Sequence, residues 1–354
     1  AVWNMVNDPI FGSKINNSKF FNKKKGEYQR YIPYIKYGAP LFSLCFAIVF
    51  FPPETLRYGT GMLQVWLFVW YLVTQIAYDT LYTIVLCAHV ALLPQMTLNQ
   101  REREKIQIQC TIFAIPSILI GLIIPVLLLS PPSEESIRIF QIIVICIAIF
   151  GVFPYFLLSR VVHEHSEHIP EKKTPLIKGL KLALKNRSFL IYVIYDGISV
   201  FILNIIVTTL PFYLPWVLNY LGVEGLNMIL FWIGPLICLL IGVYIIQYLA
   251  KNYSTKASLS YCLGILSIGF LFSFFAGVFE NWILISIGFS IFFLGFAGDF
   301  IQHNPMRADT IDYDYWKISG ERREGLYAGI GALFSKPMMD YHSSNYICCL
   351  EYGK

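Results

Sequence analysis

The 354-residue chain is 56% hydrophobic and only 14% charged, with a mean hydropathy of +0.59. Soluble domains carry roughly 25% charged residues, so this composition excludes an ordinary water-soluble domain. The net charge of +5 gives no basis for a nucleic-acid partner.

In chain order, an apolar segment is already under way at Ala1, and a partial helix is expected there. Apolar runs then fall at Pro40–Phe51, Met62–Leu93, Cys110–Leu129, Ile139–Leu158, Phe189–Leu218, Met228–Leu249, Leu259–Val278 and Trp282–Phe296. Most approach the ~20 residues that span a ~30 Å hydrocarbon layer, and Tyr34–Gly38 can lengthen the shortest. Another helix begins at Gly325, and the tail, 341–354, is too polar to continue it. The absent initial Met, the opening inside a segment and this tail lead us to expect a fragment. The expected fold class is all-α. It is a polytopic membrane protein with helical bundles at 1–160 and 188–340, joined by a cytoplasmic linker at 161–187. A multi-pass protein of the plasma membrane, monomeric and surrounded by membrane lipids, is the matching expectation.

The placement of charge orients the helices. If polar gaps alternate between inside and outside, 23 of the 27 Lys and Arg fall inside, and outside loops hold only Arg57 and Arg138. In the linker, Leu176–Arg187 spaces apolar residues with lysines opposite, which suits the inner membrane surface. His163, His165 and His168 alternate there with Glu164 and Glu167. Nothing fixes that backbone for the closed ligand set that zinc needs, so the stretch reads as a solvated loop, and no metal or other cofactor is expected. Cys45, Cys87, Cys110, Cys146, Cys238 and Cys262 lie within apolar runs and read as small apolar groups.

Two charge clusters stand out at inner helix junctions. "NQRERE" supplies Arg101, Glu102 and Arg103. "RADTIDYDYWKISGERREG" supplies Asp309, Asp312, Arg322, Arg323 and Glu324. One surface ion pair contributes only ~0–1 kcal/mol. Two clusters meeting in one conformational state and parting in another would form a cytoplasmic gate. Ionisable residues inside spans are functional candidates, here Asp8, Asp79, Asp196, Asp299 and Lys336. Asp79 and Thr83 share a helix face at i, i+4.

"WNMVNDPIFG", "RYIPYIKYGAP", "YTIVLCAHVALLPQMTLNQRERE" and "ADTIDYDYWKISGERREGLY", in this order and spacing, resemble the glycoside–pentoside–hexuronide:cation symporter family of the major facilitator superfamily. The resemblance covers essentially the whole chain. It implies twelve helices in the family, of which this chain would carry helix 2 to part of helix 11. It implies solute movement coupled to Na⁺, Li⁺ or H⁺, with the cation near the "NDP" motif. Asp8, Asn7 and Thr83 match that site, and Asn4 stands where the family has a first aspartate. The family's sugar-binding aspartate and tryptophan fall at Leu86 and Val90, and its helix 5 arginine falls at Thr111. Lys336 matches the helix 11 lysine. Asp79, Tyr82, Asp196 and Lys336 are the expected contacts for a small-molecule substrate.

With Asn4 in place of an acid, Asp8 is the only carboxylate of its segment. A lone desolvated carboxylate takes a proton readily, so H⁺ is expected over Na⁺ as the coupling ion. The alternative is an uncoupled carrier of a lipid-like or other non-sugar solute. An intramembrane enzyme would need paired catalytic groups at one depth, and of the six His only His89 lies clearly within a span. A non-transporting scaffold would have no use for two intact gate clusters.

Overall fold

The computed structural model describes residues 2–22, 26–57, 59–129, 133–164, 175–217, 225–253 and 255–336. Its helices are α1 (Val2–Asn16), α2 (Ile32–Val49), the single turn α3 (Glu54–Arg57), α4 (Met62–Met96), α5 (Gln100–Leu129), α6 (Glu134–Val161) and α7 (Leu176–Lys185). They continue with α8 (Arg187–Val217), α9 (Gly225–Asn252), α10 (Thr255–Val278), α11 (Trp282–Asp314), a π-helical turn (Tyr315–Ser319) and α12 (324–336). Among the described residues, seven helices are long and apolar enough to cross a membrane. With water excluded, only a helix satisfies its own backbone groups at that depth. The chain is a multi-pass integral membrane protein.

One element is not helical. Phe20–Asn22 (β1) pairs antiparallel with Glu27–Gln29 (β2), with Phe20 opposite Gln29. Gly26, at φ +68°, occupies the left-handed conformation beside the turn.

Two helix boundaries differ from those expected. α5 starts at Gln100, well before the apolar run at Cys110, so "RERE" lies on the helix itself. Asn99 caps it: the Arg101 N–H donates to Asn99 Oδ1 at 3.1 Å, and the N–H groups of Glu102 and Arg103 donate to its carbonyl. α11 continues past Phe296 to Asp314 because charged residues leave hydrocarbon without breaking a helix. The stop comes at Gly320, whose φ of +67° turns the chain and whose N–H donates to the Tyr315 carbonyl at 3.1 Å.

The chain packs as two compact units. The first takes residues up to Leu98 with 133–198 and 307–336; the second takes 99–129 and 199–306. In the first, Ile15, Tyr31, Ile32, Ile35, Cys87, Ala88, Ala91 and Leu92 form a buried cluster where α1, α2 and α4 meet. α6 buries only Val144, Ala148 and Ser159, while Phe150 and Ile149 are exposed, as suits a helix facing lipid. In the second, Phe292, Phe293, Phe296 and Phe300 form an aromatic ladder along α11. It packs on Phe231, Trp232, Leu239 and Val243 of α9.

Candidate functional site

The site is built in the first unit, on α1, α4 and α12. Pro9 supplies no backbone donor within α1, and Asp8 just before it is fully buried. α12 reaches it through the small residues of "GLYAG". A Cβ on Gly329 would stand 2.5 Å from the Asp8 carbonyl oxygen, and one on Gly12 would stand 2.5 Å from the Gly325 carbonyl oxygen. Only glycines let two backbones approach this closely, the small-xxx-small packing of membrane helices.

That approach brings Lys336 of α12 onto Asp8. The ammonium lies 2.8 Å from Asp8 Oδ2 and donates to Oδ1 at 2.9 Å. Thr83 of α4 closes the triangle: its hydroxyl donates to Asp8 Oδ1 at 2.5 Å and accepts from Lys336 Nζ at 3.1 Å. The Lys336 ammonium also stands 5.7 Å from the centre of the Tyr82 ring, a cation–π arrangement. Tyr82 stacks on Tyr78, and both pack on Phe42 of α2. Asn7 is buried beside Asp8, and its Nδ2 has no partner among the described residues.

Asp8, Thr83 and Lys336 therefore come together, along with Tyr82. The sequence grouped Lys336 with the substrate contacts, whereas its ammonium sits in the group assigned to the cation. Asp8 is correspondingly not a lone carboxylate, because an internal ammonium neutralises it. Asn4 lies in α1, but its side chain is outside the described residues. Asp79 accepts from Gln75 Nε2 at 3.2 Å, on its own helix.

Asp196, buried in α8, belongs to a second charged group. It attracts the Arg307 guanidinium of α11, whose Nε donates to Tyr192 Oη at 3.0 Å. Arg307 was not among the site residues read from the sequence, because its pairing with a residue far away in the chain left no local signal. In the second unit, Asp299 accepts from Ser199 Oγ at 2.7 Å.

The second charge cluster closes around Glu324, which is fully buried at the start of α12. Its carboxylate accepts from Arg30 Nη2 at 3.3 Å, Tyr31 Oη at 3.1 Å and Gln95 Nε2 at 2.6 Å, and lies 3.6 Å from Arg322 Nη1. Arg322 also donates to Asp312 Oδ1 at 2.5 Å and to the Pro94 carbonyl at 3.1 Å. Arg323 turns to Asp314 and Glu321 instead. Asp309 lies half-buried on α11. Arg101 and Glu102 are exposed on α5 in the second unit, where Arg103 is buried.

Arg30, Tyr31 and Gln95 were missed in the sequence, and so was Glu164. The linker glutamate is not solvated, as was expected. Its two oxygens accept the N–H groups of Arg30, Tyr31 and Ile32 at 2.7, 2.9 and 2.7 Å, capping α2. Burial pushes the Glu164 carboxyl above the usual glutamate value, against the pull of those three N–H bonds and of Arg30. His163 is exposed, 3.7 Å from Glu27. His165, Glu167, His168 and the tail 341–354 lie outside the described residues.

Long apolar helices and a buried carboxylate–ammonium pair held by α1, α4 and α12 define a multi-pass membrane protein with a charged group in its interior. The chain belongs to the family described as MFS/sugar transport protein, whose profile matches residues 1–348. It is 23% identical over 323 residues to the "Putative sulfoquinovose importer" of Salmonella typhimurium. It is 24% identical over 311 residues to the isoprimeverose transporter of Lactiplantibacillus pentosus. Each match covers 86% of this chain and 62% of the relative, so the chain spans less than two thirds of their length. Among solved structures it is similar to the transporter FucP in the outward conformation, with a TM-score of 0.53 at 13% identity over 96% of this chain and 87% of that one. It is also similar to the proton:xylose symporter XylE bound to 6-bromo-6-deoxy-D-glucose, with a TM-score of 0.56 at 12% identity over 97% and 78%. These likenesses establish the major facilitator fold. The family is one of transporters rather than enzymes.

Proposed function

We propose that this chain is the core of a secondary transporter that moves a small organic solute of the sugar class by alternating access, coupled to H⁺. Two helical bundles at 1–160 and 188–340 would rock about a central site. The observation that carries the coupling is the buried Asp8–Lys336 pair with Thr83 between its partners. Asp8 holds one positive charge in this arrangement, and that charge is internal. A metal ion entering the site would have to displace the ammonium from the Asp8 carboxylate and the Thr83 hydroxyl. A proton on Asp8 removes the attraction instead and releases Lys336, with Tyr82 beside it, to move or to meet solute. Proton binding and solute binding are thereby linked through one ion pair. Asp79 and Asp196 serve as further solute contacts in this reading. The Arg101–Arg103 and Asp309–Glu324 clusters serve as the cytoplasmic gate.

The sugar class is supported by family membership and by the names of the two relatives, both of which carry sugars. Leu86, Val90 and Thr111 stand where the resembled family places its sugar contacts. Those apolar and neutral residues favour a second reading, an uncoupled carrier of a lipid-like solute. The test is solute-driven current in proteoliposomes carrying the full-length protein, challenged with sulfoquinovose, isoprimeverose, xylose and fucose. A saturable inward proton current with one of them is expected. Saturable uptake with no ion movement, under every gradient imposed, would refute coupling.

A further inference from the structure

In the second unit, a cavity of about 520 Å³ lies at the basic ends of α5, α9 and α11, the side that the positive-inside rule assigns to the cytoplasm. Three cations line it: Arg101 and Lys105, one turn apart on α5, and Lys251 near the end of α9. All three are exposed, and none makes an ion pair with a described residue. One carboxylate, Glu104, also lines the cavity. Gln302 of α11, which is fully buried, also lines it. Its Nε2 donates to Ser258 Oγ at 2.8 Å, and its Oε1 has no partner among the described residues. A buried acceptor left unsatisfied is costly, so the cavity calls for a ligand with both negative charge and a hydrogen-bond donor.

A third feature says where such a ligand comes from. Ile237, Ile241, Tyr244 and Tyr248 of α9 are 52%, 46%, 67% and 67% exposed. Their spacing of four, three and four places them on one helix face. The stripe runs ~16 Å at 1.5 Å per residue, close to one leaflet's share of a ~30 Å hydrocarbon core. Its lower residues, Tyr244 and Tyr248, line the cavity itself.

We propose that this cavity binds the head group of an anionic, hydroxyl-bearing phospholipid of the inner leaflet, with an acyl chain lying along the α9 stripe. The phosphate meets Arg101, Lys105 and Lys251 as charge-assisted hydrogen bonds. A head-group hydroxyl donates to Gln302 Oε1. A soluble phosphate ester makes no use of the stripe, and the exposed cations alone hold it too weakly to stabilise the fold.

The experiment places the full-length protein in zwitterionic nanodiscs, adds phosphatidylglycerol, and follows bound lipid by native mass spectrometry and stability by thermal melting. We expect phosphatidylglycerol to remain bound and to raise the melting temperature. The double variant K105Q/K251Q should bind it roughly 30-fold more weakly. Both lysines are exposed, so this variant should melt like wild type without the lipid. Inorganic phosphate and glycerol 3-phosphate should give no shift. Equal stabilisation by either soluble compound, or undiminished lipid binding by the double variant, would overturn the proposal. Gln302→Met should erase any preference for phosphatidylglycerol over phosphatidic acid, and a preserved preference would overturn the head-group assignment.

Discussion

Replacing Lys336 by methionine keeps the side-chain length and removes the charge. The side chains of Lys336 and Asp8 are only 11% and 1% exposed, so water cannot substitute for the lost ammonium. Two routes are then open to Asp8. It can stay ionised without a partner, and breaking a buried pair in this way costs ~3–5 kcal/mol. Or it can take a proton. That second cost falls as the pH falls. The first cost does not depend on pH, whereas the second shrinks in acid. The assay is thermal melting of purified wild type, K336M and D8N/K336M in one detergent between pH 5 and 7.5. At pH 7 the single variant should melt on the order of 5 °C below wild type. That deficit should shrink at pH 5. The double variant carries no uncompensated charge and should lie near wild type at both pH values. A deficit independent of pH and shared by the double variant would mean that lost packing, not the unpaired carboxylate, is the cause.

Three other changes test the surroundings of the pair. A Cβ at Gly329 meets the Asp8 backbone oxygen at 2.5 Å, whereas one at Gly331 meets nothing within 4 Å. G329A should therefore cost ~1–3 kcal/mol as an overpacked contact, and G331A should be neutral in the same melt. E324Q leaves Arg30 and Arg322 buried without their shared anion. We expect a loss on the order of 3 kcal/mol, read by chemical or thermal unfolding, with a change under 1 kcal/mol counting against the network. Burial raises the Glu164 carboxyl above its ordinary 4.5, so the folded state binds this proton more tightly than the unfolded one. The stability it contributes is present below pH ~4.5 and is lost as pH rises through the raised value. E164Q should flatten that descent in melts from pH 4 to 7.

The membrane fold was legible in the sequence because a helix must carry ~20 apolar residues to cross hydrocarbon. Its boundaries were less legible. An apolar window ends where Gln100–Gln109 and Arg307–Asp314 become polar, yet those residues continue α5 and α11 because nothing in them breaks a helix. The hairpin at Phe20–Gln29 was too short to leave a pattern. Asp8, Thr83 and Lys336 stood out as polar residues in apolar surroundings and through the family resemblance. That Lys336 would meet Asp8 could not be read, since 328 positions separate them. Glu164 was hidden for a different reason. Its partners are three backbone N–H groups, which have no side-chain signature.

The claim at the centre is that Asp8 exchanges the Lys336 ammonium for a proton during transport. The most direct measurement is solute accumulation in proteoliposomes holding the full-length protein, driven by an imposed pH gradient at constant Na⁺, for wild type and D8N. Accumulation by wild type, and in D8N only equilibration with no response to the gradient, is the expected result. Accumulation driven by a Na⁺ gradient at fixed pH, or pH-driven accumulation that survives D8N, would contradict it.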